Sequence, residues 1–80
     1  MTQSNLAIEV ANILRDKGNK TVKSLFWNQD KGSLSVFARG YSVGNGLSFN
    51  YTPDPEATNE EIADYVAGRC QMLIEQSGNA

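Results

Sequence analysis

The spacing of hydrophobic residues changes period twice along this chain. Between residues 4 and 17, Leu6, Val10, Ile13 and Leu14 recur at i, i+4, i+7 and i+8, with Ala7 and Ala11 beside them. That spacing predicts an amphipathic helix with one apolar face. Ser4 suits its N-cap, and Gly18 suits its end, where a positive φ is cheapest for glycine. Arg15 and Lys17 stand at the negative end of the helix dipole. Ile8 falls off the stripe.

From residue 20 to residue 51 the period becomes two. Lys20–Trp27 is rich in β-branched and aromatic residues and predicts a first strand, closed by the turn Gln29-Asp30-Lys31-Gly32. Ser33–Val43 predicts a second, in which Leu34, Val36 and Ala38 alternate with Ser35, Phe37 and Arg39. Asn45-Gly46 is a type I′ hairpin signal. Leu47–Tyr51 is the third strand, and a two-residue turn would set Tyr51 opposite Gly40, its ring covering the glycine. Thr52-Pro53-Asp54-Pro55 then breaks the sheet.

The last segment returns to helical spacing. Thr58-Asn59-Glu60-Glu61 is a capping box, followed by a stripe of Ile62, Ala63, Val66, Ala67, Cys70, Leu73 and Ile74 that runs to about Gln76. Residues 77–80 read as a frayed tail. The expected fold is therefore a single α+β domain over residues 1–80. Its order is α-β-β-β-α, with a three-stranded antiparallel meander and both helices packed on one face.

Composition narrows the chemistry. The 80 residues contain no histidine and one cysteine. The usual general base and the commonest zinc ligand are missing, and no intramolecular disulfide can form. Cys70 sits in the apolar stripe, where a thiol acts as a small hydrophobe. The Gly44-Asn45-Gly46 run lacks the Gly-Lys-Ser/Thr ending of a phosphate loop. Glu60, Glu61 and Asp64 lack calcium-loop spacing and are accounted for as helix-start residues. These features predict a protein that is not an enzyme and takes no cofactor or metal. With no membrane-length apolar run and no basic, secretory-type start, a cytoplasmic setting is expected.

The net charge of −2 is unevenly placed. Residues 1–40 hold six cations against three anions, and residues 41–80 hold one against six. The acidic second half is read as solvated helix starts and turns.

A three-stranded sheet covered on one side leaves the other side open, and this is where a partner is expected. Period-two geometry sends Phe37, Arg39, Tyr41 and Val43 to the open face. The first strand has two registers. If Val22 and Phe26 face the helices, Lys23, Leu25 and Trp27 join the open face; a slip of one residue buries Trp27 and exposes Phe26 instead. The expected partner-binding set is Lys23, Leu25, Trp27, Phe37, Arg39, Tyr41 and Val43. A secondary surface is expected at Tyr65, Gly68 and Arg69, since a glycine inside a helix usually has a local reason such as close approach of another backbone.

Aromatic residues with arginine suit a protein interface. The expected partner is another protein, or a second copy of the chain as a homodimer, with the chain acting as an accessory or inhibitory protein such as a phage-type inhibitor of a host complex. The same face also suits single-stranded nucleic acid, with rings stacking on bases and Lys23 and Arg39 meeting phosphates. The acidic pI of about 4.9 favours the protein reading.

Overall fold

The alternating middle of the chain folds into the antiparallel meander, and the two periodic ends fold into helices. A computed structural model describes residues 4–78 apart from positions 43 and 45. The elements are α1 (Ser4–Asp16), β1 (Val22–Asn28), β2 (Ser33–Ala38), β3 (Ser48–Tyr51) and α2 (Asn59–Gly78). The sheet order is β1-β2-β3, with both helices on one face. The class is α+β, as expected.

The ends of α1 show why it stops where it does. The Asn19 N–H donates to Leu14 O and the Gly18 N–H to Arg15 O, with Gly18 at φ +70°. This is the paired-bond cap that a left-handed glycine permits. Asn19 Oδ1 then accepts from the backbone of Thr21 and Val22 and launches β1. The Ser4 hydroxyl lies outside the described side chains. At α2 the capping box is complete: Glu61 N–H donates to Thr58 Oγ1 at 3.1 Å, and Thr58 N–H donates to Glu61 Oε1 at 3.0 Å. The helix continues through Gly78, past the expected end; the last two residues lie outside the described part.

The core is a single layer between sheet and helices. Leu34, Val36 and Ala38 of β2 are fully buried against Val10 of α1 and Ala63, Val66 and Cys70 of α2. Contacts rise in the same direction along both helices: Asn59 donates to Glu9, and Lys17 Nζ lies 3.0 Å from Asp64 Oδ1. Thr21 Oγ1 also reaches Ala67 O at 3.4 Å, tying the start of β1 to α2.

Two expectations about the sheet are corrected. The strand expected over Ser33–Val43 ends at Ala38, and Tyr51 pairs with Leu34, not with Gly40. Gly40, at φ +92°, turns the chain out of the ladder, and the Tyr41 N–H donates back to Ala38 O. Leu47 takes the covering position expected of Tyr51: a Cβ added at Gly40 would lie 3.6 Å from its Cδ1. The Asn45-Gly46 turn falls partly outside the described residues. Because Tyr51 moves six positions along β2, from 40 to 34, an even number, the inward set survives the change.

The second correction concerns β1. The register shifts between Val22 and Ser24, so that Val22 pairs with Ala38 and Leu25 with Val36. Both partners are buried, so both residues face the helices although they are an odd number of positions apart. Lys23 is the extra residue of a β-bulge, which resets the parity of everything after it. Trp27, opposite Leu34, is therefore inward and Phe26 outward.

Thr58→Ala should cost about 1 kcal/mol in chemical denaturation by removing the cap. Burial pushes the Cys70 thiol up from 9.0 to about 11. The unfolded chain then loses this proton first, so stability falls as pH rises from about 9 to about 11. Denaturation across that window should show a decline on the order of 2 kcal/mol that a Cys70→Ala variant lacks.

Candidate interaction surface

On the face away from the helices, three aromatic rings form one strip. Phe26 of β1 meets Phe37 of β2 edge-on, with centroids 5.7 Å apart. Phe37 meets Tyr41 at 4.8 Å. Phe26 is 58% exposed, and Phe37 and Tyr41 are half-buried. Phe26 lies diagonally across from Phe37, the spacing at which large rings on neighbouring strands still touch. Tyr41 is in no strand; the turn at Gly40 folds its ring back onto Phe37.

Beside the strip the face is polar and uncharged. Ser35 Oγ donates to Asn50 Oδ1 at 3.0 Å across β2 and β3, and Ser24 and Ser48 flank Phe37. Lys23, lifted out by the bulge, sets its ammonium 5.6 Å from the Tyr41 ring centroid and 3.4 Å from the Tyr41 carbonyl oxygen. The ring face attracts the cation and holds it at the margin of the strip.

Of the seven residues expected here, Lys23, Phe37 and Tyr41 come together as anticipated. Leu25 and Trp27 do not: the bulge turns both toward the helices, where they pack against the core. Trp27 also lines an open cavity of about 420 Å³ with Leu6, Pro53 and Ile62. Arg39 leaves the strip and reaches across the sheet to its edge, where Nε donates to Lys20 O at 2.6 Å. Val43 lies outside the described residues. Phe26, the most exposed ring, belongs to the other register of β1. Its signal was the odd spacing of Val22 and Leu25: two apolar residues three apart can both face a core only across an extra residue.

The secondary surface is partly used within the chain. Tyr65 stacks on Tyr51, with centroids 4.5 Å apart and planes 29° apart. Arg69 places its guanidinium 5.6 Å from the Phe49 centroid. Both side chains clamp the outer flank of α2 onto β3. Gly68 beside them has no backbone close by, and a Cβ built there meets nothing within 4 Å.

Among the described residues, no group of three His, Cys, Asp or Glu is placed to hold a metal ion. No described helix is long and apolar enough to cross a membrane. Comparison with protein-family models, with curated proteins and with solved structures finds no match to this chain.

Gly68→Ala should raise stability by up to about 1 kcal/mol in thermal or chemical denaturation, because the helix gains propensity and no atom must move. A loss would show that Gly68 departs from helical geometry in solution.

Proposed function

We propose that this chain is a small non-enzymatic binding domain that docks another protein on the open face of its sheet, acting as an accessory or inhibitory subunit. The contiguous strip of Phe26, Phe37 and Tyr41 carries this reading. Rings left in water at the centre of a face are costly to maintain in a monomer and are the side chains that dominate protein interfaces. The surrounding Ser24, Ser35, Ser48 and Asn50 supply neutral hydrogen-bonding groups of the kind that surrounds such anchors.

Two observations weigh against single-stranded nucleic acid on this face. Arg39 is committed to the Lys20 carbonyl at the sheet edge, which leaves Lys23 as the cation beside the rings. The net charge of −2 also lacks the basic excess usual in nucleic-acid binders. Catalysis finds no support in the available groups: the chain has no histidine, and its thiol is buried and hard to ionise.

The test compares the wild type with Phe26→Asp. Phe26 is mostly exposed but meets Phe37 edge-on, so the variant should stay folded at a cost of about 1–2 kcal/mol, read by denaturation before any binding is compared. Capture of a defined protein from the source cell should be lost in the variant and should survive high salt in the wild type. Capture that collapses steeply with salt, or nuclease-sensitive capture, would favour nucleic acid. Sedimentation equilibrium separates a hetero-partner from self-association: dimers that Phe26→Asp dissolves would make the partner a second copy.

A further inference from the structure

β1 is an edge strand, paired with β2 on one side and, among the described residues, with no strand on the other. Along that free edge, between β1 and α1, runs a groove of about 490 Å³. Its floor is aliphatic: Ala11 and Leu14 from the helix, Val22 and Leu25 from the strand. Its rim carries Arg15, Lys20, Lys23 and Arg39, and no carboxylate lines it. We propose that this groove binds an acidic segment of a partner protein that carries aliphatic side chains between its carboxylates. The groove meets the margin of the aromatic strip at Lys23 and Ser24, but its floor and its other cations lie apart from the rings, so the two readings can fail separately.

The charge distribution makes the argument. The four rim cations meet only neutral acceptors, or none, among the described residues. Arg15 Nη2 donates to Asn12 Oδ1 at 2.9 Å, Lys23 Nζ to Tyr41 O and Arg39 Nε to Lys20 O. Among the described residues no hydrogen bond is made by the Lys20 ammonium. Lys17, nearby in sequence, does find a carboxylate, Asp64. Among the described residues, four cations thus stand without a carboxylate partner around one apolar trough. Clustered like charge beside low-dielectric walls draws in an anion of matching shape.

The floor selects the kind of anion. It offers aliphatic surface to Leu- or Val-sized side chains, and no aromatic ring lines it for bases to stack on, which favours an acidic peptide over single-stranded nucleic acid. The bulge and lysine at position 23 hinder a regular ladder with an incoming strand. Recognition therefore rests on charge and on the floor, and edge-to-edge pairing with a second copy is disfavoured.

The probe is a short fluorescein-labelled peptide of repeated Glu-Leu-Asp-Val, compared with its counterpart carrying Lys at the acidic positions and with oligothymidine of the same length. The acidic peptide should bind by anisotropy and shift the amide resonances of Ala11, Gly18, Lys20 and Val22, leaving Ser35 and Asn50 in place. Joint Arg15→Glu and Lys20→Glu should weaken it by more than about tenfold, while the uncharged Phe26→Ser should not change it. If the double reversal unfolds the chain, Lys20→Gln alone should still weaken binding by about threefold. The proposal is overturned by tighter or equal binding of the lysine peptide or of oligothymidine. It is equally overturned by absence of acidic-peptide binding up to about 1 mM, or by shifts confined to the aromatic face.

Discussion

Two short helices can cover only one side of a three-stranded sheet, and the rest of the molecule follows from that. β2 is the central strand, and its three inward side chains, Leu34, Val36 and Ala38, are completely buried. Small residues opposite them, Ala7, Ala63 and Cys70, let the helices approach. A Leu-to-Ala cavity in such a layer costs about 2–5 kcal/mol, against a total stability of roughly 5–15 kcal/mol for a domain. One layer can therefore hold the fold with little to spare. Among the described residues nothing packs on the far face, and its side chains are left at the surface.

Much of this was legible because β2 keeps a clean period of two and α2 carries both its cap and its stripe. The inward set Leu34, Val36, Ala38, Leu47, Phe49 and Tyr51 came through although the hairpin register did not. A dipeptide such as Asn45-Gly46 marks where a turn is cheap, but Gly40 had already turned the chain at Ala38. Local turn propensity lost to a backbone conformation fixed several residues earlier. The faces held because a sheet stores only the parity of its register.

β1 shows the opposite case. Its apolar residues are Val22, Leu25, Phe26 and Trp27, and no strict alternation buries Val22, Leu25 and Trp27 together. The structure spends one residue, Lys23, to bring all three inside. A single tryptophan is worth more in contact with the core than on a bare surface. Phe26 is left outside as the consequence, against Phe37, which in turn meets Tyr41. The open face therefore owes its most exposed ring to the packing demands of the other face, and only the folded chain reveals which residue that is.

The same bulge separates two chemistries on either side of one strand. On the sheet face lies a strip of rings with neutral neighbours; at the edge lies an aliphatic trough with four cations around it. The uneven division of charge along the sequence becomes intelligible here. The acidic second half spends several of its carboxylates locally: Glu61 closes the α2 cap, Asp54 holds the turn before it, and Asp64 meets Lys17. The basic first half delivers Arg15, Lys20, Lys23 and Arg39 to a place those carboxylates do not reach. Four such cations around one trough give the free edge a positive local potential. Lys23 is common to both surfaces, lining the groove while its ammonium lies over the Tyr41 ring, so the residue that sets the parity of β1 also marks the boundary between them.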